Sequence, residues 1–201
     1  MRKYAFCLIC SFLLTLLTQA GNVQATEPSL AEIQKLAEQG DVEAQTNLGR
    51  MYFYGRGIPQ DHAKAIYWTQ KAAEQGYIEA QLNLGLIYSK NRNMKIAEQW
   101  FQKAADQGVP EAQAFLGFIL ATRNDYVKAV QYLQKAVEQE IPAAQLYLGL
   151  MYMDGRGVGR DIKKGCDLLQ ASFDAKQESV VPIPIELNNA AIEVYKAVCV
   201  K

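Results

Sequence analysis

The sequence repeats itself, and the repeat limits the possible folds more than any other feature. From Ala37 the chain reads AEQGDVEAQTNLGRMYFYGRGIPQDHAKAIYWTQKA. Blocks of the same pattern begin at Ala73, Ala105 and Val137. The four blocks occupy 37–72, 73–104, 105–136 and 137–172, so the periods are 36, 32, 32 and 36 residues. The two middle blocks lack four residues at the same place, between their halves. Periods of this size belong to arrays whose units are single supersecondary elements. One such unit cannot bury its apolar face alone, whereas stacked units share a continuous core.

Each block reads as two helices. In the first, Ala44, Leu48, Met51 and Tyr52 recur at helical spacing and mark one buried face. Gly55-Arg56-Gly57 then interrupts the chain. Asp61 suits an N-cap, and Ala65, Trp68 and Ala72 mark the face of a second helix. The cap slot holds Asp61, Asn93, Asp125 and Asp161, all good caps. Gly40, Gly76 and Gly108 fall where a helix C-terminus wants a left-handed residue. Pro110 and Pro142 suit first-turn positions, where a missing N–H costs nothing. Gly49, Gly85, Gly117 and Gly149 sit mid-helix, where glycine costs roughly 1 kcal/mol relative to alanine. Four such costs in register imply that each glycine lets a partner helix approach closely, with Ala65, Ala97 and Ala129 on the facing helices.

The pattern small-x-x-x-Leu-Gly-x-x-Tyr, Gly-x-Gly, Asp-x-x-Lys-Ala and Lys-Ala-Ala-x-x-Gly resembles the Sel1-like repeat, a relative of the tetratricopeptide repeat. The resemblance covers 37–172. It implies an all-α fold: a right-handed α/α superhelical solenoid of four repeats, with the first helices on the concave side and a role as a protein adaptor. Some positions depart from it. The middle units carry SKNRN and ATRND in place of Gly-x-Gly, which predicts tighter connections. Glu140 stands at a unit-ending Gly, Leu120 at the Tyr, and Gly165 at the Ala.

The flanks read differently. Residues 1–25 combine Arg2 and Lys3, an apolar run from Tyr4 to about Leu17, and small residues ending at Ala25. This is the layout of a signal peptide. The run is about 14 residues, short of the roughly 20 that span a bilayer, so no stable membrane insertion is expected after cleavage. The expected location is the periplasm, with secretion as the second choice. Residues 26–36 belong to an N-terminal capping segment, with a lone helix read at 29–39. VVPIPI at 180–185 reads as an extended linker within 173–201, and 186–198 as a C-terminal capping helix. Without the leader, two cysteines remain, Cys166 and Cys199. In an oxidising compartment they suggest a disulfide between the last repeat helix and the cap. Its loop of about 34 residues would stabilise by on the order of 3–4 kcal/mol. Two buried free thiols are the alternative.

Composition narrows the function. The chain has 201 residues, half of them apolar, with 21 basic and 21 acidic residues and one histidine. That apolar content excludes a disordered chain. The balanced charge gives no footprint for nucleic acid. No metal or other cofactor is expected. Gly155-Arg156-Gly157-Val158-Gly159-Arg160 lacks the Gly-Lys-Ser/Thr of a phosphate loop and follows a helix, not a strand. No nucleophile pattern accompanies His62 or any cysteine, so catalysis is not expected.

Three slots of the first helices project onto the concave face that the resemblance implies. They hold Thr46, Leu82, Ala114 and Leu146; Arg50, Leu86, Phe118 and Leu150; and Phe53, Ser89, Ala121 and Met153. Leu82, Leu86, Phe118, Leu146, Leu150 and Met153 would form an apolar stripe, with Phe53 in one of the same slots of the first unit and a more polar border of Arg50, Glu43, Glu79 and Glu111. Such a strip marks a binding surface for a protein or peptide; inter-repeat core is the alternative. The aromatic cluster Tyr52, Phe53, Tyr54, Tyr67 and Trp68 is a second candidate, against ordinary packing. The expected function is an exported adaptor or assembly factor, acting as a monomer. The other readings are an immunity protein that neutralises a secreted toxic effector, an envelope hydrolase or penicillin-binding protein, and a self-associating solenoid.

Overall fold

The computed structural model describes residues 28–175, 183 and 185–200. The leader at 1–25 and most of the linker at 180–185 lie outside the described residues. Those described form ten α-helices and no strand. Helix α1 spans Leu30–Glu38. Four pairs follow: α2 Val42–Tyr54 with α3 His62–Glu74, α4 Ile78–Lys90 with α5 Met94–Asp106, α6 Pro110–Thr122 with α7 Tyr126–Val137, and α8 Pro142–Asp154 with α9 Ile162–Asp174. Helix α10 spans Ile185–Val198. From α1 to α9 each helix packs on its chain neighbours, and first helices also meet directly, α2 with α4 and α6 with α8. This is an all-α solenoid, and the side where first helices meet is the inside of its curve.

Local chemistry sets the helix ends. Ser29 and Glu32 close a capping box on α1. Asp61 accepts from the Lys64 N–H at 3.0 Å, Asp161 from Lys164 at 2.9 Å, and Asn93 from Ile96 at 3.4 Å. Asp125 departs from the expectation: it caps no N–H, and its carboxylate pairs with Lys128 at 3.3 Å. The first three second helices end on left-handed residues, and α9 ends on the extended Ala175. Gly108 has φ +87°, and Glu140, in the same slot of the next unit, is held at φ +58° without a glycine. The tight middle connections turn on Arg92 and Asn124, at φ +59° and +63°.

The mid-helix glycines are contact points. A Cβ on Gly85 would lie 2.6 Å from the Phe101 ring, and one on Gly117 would lie 2.6 Å from Leu133. Gly149 lies against Leu169 and the Gly165 carbonyl, and Gly49 against the Thr69 hydroxyl. A polar ladder runs beside this core. Gln45, Gln81 and Gln113 are buried, and each donates to a carbonyl eight residues back, at 3.0, 3.4 and 3.3 Å. Gln75 and Gln107 donate to Gln45 and Gln81 at 2.9 and 2.7 Å, so successive units are joined by hydrogen bonds as well as by apolar contact.

Helix α10 caps the far end. Ala191 is buried with Leu146, Met153 and Leu169, and Leu187 packs around them. Cys166 and Cys199 form a disulfide with their Cα atoms 5.6 Å apart. Of the two readings of this pair, the structure holds the bonded one.

Candidate binding surface

Helix phase decides which side chains face the inside of the curve. Taking the mid-helix glycine as the direction of the second helix, each residue turns about 100°. The slot one residue after the glycine (Arg50, Leu86, Phe118, Leu150) points about 100° away. The slots four after and three before point only about 40° and 60° away.

The burial follows that phase. Arg50 is exposed, and Leu86, Phe118 and Leu150 are half-buried. Leu82 is half-buried as well. Phe53, at 6% exposure, packs with Ala65 and Ile87. Met153, also at 6%, and the fully buried Leu146 lie under α10. Phe53, Leu146 and Met153 are therefore core residues and not stripe residues. Their slots turn toward the second helix, and α10 covers the last unit.

The inner side holds two hollows. The larger, about 430 Å³, lies between α6, α8 and α10. Phe118, Leu150, Leu187, Ala190 and Val194 supply most of its apolar wall, with Asp154 and Arg156 at its border. The Phe118 and Tyr147 rings meet there at 5.1 Å. The Tyr147 hydroxyl is buried without a hydrogen-bond partner, and burial pushes its pKa up to about 12. Val194 and Val198, one turn apart on α10, are exposed.

The smaller hollow, about 20 Å³, lies between the first two units, lined by Arg50, Phe53, Tyr54, Thr69, Asn83, Leu86 and Ile87. Thr69 Oγ1 and Asn83 Nδ2 are buried there without partners. At its mouth Arg50 pairs with Glu79 at 3.3 Å. The Lys90 ammonium stands 5.1 Å from the Phe53 ring centre and 5.4 Å from that of Tyr54.

The aromatic cluster read from the sequence divides in two. Phe53 and Tyr54 contact edge to face at 5.0 Å on α2. Tyr67 and Trp68 do the same at 5.0 Å on α3, beneath Lys71. His62 is exposed, with its ring 5.4 Å from Phe53. The slot projection missed Asn83, Lys90 and Tyr147. A detectable signal existed for Lys90, which lies four residues after Leu86 and so one turn along the same face. Among the described residues no group of His, Cys, Asp and Glu could hold a metal ion, and no helix is long and apolar enough to cross a membrane.

The Sel1 repeat model matches residues 42–77, 78–109, 110–140 and 142–176, one match for each helix pair. The chain belongs to the Sel1 repeat family. Members of the Sel1 repeat family are generally protein–protein interaction modules and typically non-enzymatic scaffolds. Two solved structures carry the same architecture. A protective antigen of uropathogenic Escherichia coli with an SLR fold is 31% identical, with a TM-score of 0.70 over 75% of this chain and 34% of that one. A Sel1 repeat protein of Oxalobacter formigenes is 29% identical, with a TM-score of 0.63 over 82% of this chain and 48% of that one. The chain thus spans about a third and about half of the lengths of these two proteins. No curated protein matches it.

Proposed function

We propose that the chain is an exported adaptor or assembly factor that holds a segment of one protein partner against the inner face of its solenoid. The observation that carries this reading is the apolar hollow where half-buried Phe118 and Leu150 meet Leu187 and Val194 of α10. Apolar surface gathered in a concavity, with few charges at its border, is the usual makeup of an interface core. Export rests on the leader pattern of residues 1–25, and a periplasmic location agrees with a disulfide between Cys166 and Cys199.

The test is co-purification of the tagged, processed protein from its own cell envelope, with partners identified by mass spectrometry. A variant carrying Leu86→Glu, Phe118→Glu and Leu150→Glu runs beside it. These three side chains are half-buried, so the helical circular-dichroism signal is expected to survive. A dominant partner captured by the wild type and lost from the variant supports the reading. The same proteins on both, or none on either, rejects it. Recovery of full-length chain from the cytosolic fraction alone rejects export.

A further inference from the structure

The joint between the first two units differs in kind from the next two. Each joint pairs a position of a second helix with the position fourteen residues later on the following first helix. In the second joint the pair is Phe101 and Phe115, stacked at 4.5 Å. In the third it is Leu133 and Tyr147, both buried. In the first it is Thr69 and Asn83, which leave the small hollow described above. Thr69 is 1% exposed, and its hydroxyl has no partner. Asn83 Nδ2 is buried and unpartnered too. The hollow, about 20 Å³, has room for one oxygen atom. Both residues line the hollow, the Thr69 hydroxyl lying on the Gly49 side of its helix. Arg50 lines the hollow and pairs with Glu79, and the Lys90 ammonium stands over the Phe53 and Tyr54 rings of its wall, with Arg56 over the Tyr54 ring. Among the described residues neither Arg56 nor Lys90 has a carboxylate within salt-bridge distance.

We infer that the first joint is a carboxylate-binding site for an acidic segment of the protein partner. One oxygen of an Asp or Glu side chain enters the hollow and accepts from Thr69 and Asn83. The other stays at the mouth, beside Arg50 and Lys90. The inference rests on the protein-interaction reading above and specifies its chemistry at this end of the groove.

The probe is a short end-blocked peptide of alternating aspartate and alanine, labelled with fluorescein and followed by anisotropy, with its asparagine and lysine counterparts. Wild-type protein is expected to bind the aspartate peptide about tenfold or more tightly than the asparagine peptide, since hydrogen bonds to a charged acceptor are at stake. Thr69→Ser keeps the hydroxyl and should keep the preference; Thr69→Val should lose it. Thr69→Leu copies the later joints, so it should raise Tm while abolishing binding. Asn83→Asp places a carboxylate at the site and should turn the preference toward the lysine peptide, which keeps the test decisive if the Thr69 variants fail to fold. Equal binding of the aspartate and asparagine peptides overturns the inference, as does a preference that survives in Thr69→Val. Partner capture that depends on Phe118 and Leu150, which line the other hollow, would then still stand, so the two readings fail separately.

Discussion

Phe101 and Phe115 stack with their ring centres 4.5 Å apart and their planes 2° from parallel, joining the second unit to the third. Both rings are buried, and the Phe101 edge also fills the space beside Gly85. This is the central joint of the solenoid, and coupling between its halves runs through it. Phe101→Ala should cost about 3–5 kcal/mol in urea denaturation. In a repeat array stability is a sum of units and nearest-neighbour interfaces. The loss should therefore separate the unfolding of the two halves. Trp68 and Trp100 both precede the joint. Their fluorescence should report a transition that no longer coincides with circular dichroism.

Gly85 gains helix propensity on becoming alanine, by about 1 kcal/mol. The added Cβ would meet the Phe101 ring at 2.6 Å, however, and that ring is held in its stack. Gly85→Ala should therefore destabilise by about 1–3 kcal/mol. Gly159→Ala is the control, since nothing lies within 4 Å of its Cβ position. It should leave Tm unchanged or slightly raised.

The Cys166–Cys199 bond fastens a helix that otherwise rests on few contacts with α8 and α9. The native oxidised protein should resist alkylation without reductant. Reduction should remove on the order of 3–4 kcal/mol from the stability of the last unit and its cap. Hydrogen exchange should locate the effect: amides of α10 lose protection, while those of α2 to α7 keep it.

Tyr147 makes stability fall in alkaline solution. Burial raises its pKa from the ordinary value of 10 to about 12, so the folded chain retains a proton that the unfolded chain releases. Its contribution is complete below pH 10 and declines as pH rises toward 12, by at most about 2–3 kcal/mol. Tyr147→Phe should flatten that decline relative to wild type. At neutral pH it should cost nothing, since the hydroxyl it removes has no partner. Urea melts at pH 8, 10 and 11.5 compare the two proteins.

The repeat spacing carried the fold, because every unit restates the same packing problem. Period, breaks and small residues gave the helix pairs, and Pro110 and Pro142 begin their helices as expected. The surface was less legible. Leu146 and Met153 share their slots with residues of mixed burial: Thr46, Ala114 and Phe53 are buried, and Leu82, Ser89 and Ala121 half-buried. Over Leu146 and Met153 also lies α10, which comes from outside the repeat. The hollow at Thr69 and Asn83 could have been found by comparing slots across units, because Thr69 stands where Phe101, Leu133 and Leu169 stand. Asp61 both caps and pairs with Lys64, whereas Asp125 only pairs with Lys128, a difference of rotamer that spacing does not encode.

The position of α10 gives the solenoid a polarity. Its Leu187, Ala190 and Val194 stand across the inner face beside α8. Any chain laid along that face from the first unit therefore meets a wall at the fourth. In the proposed binding mode a guest would have to turn out into solvent beside these residues.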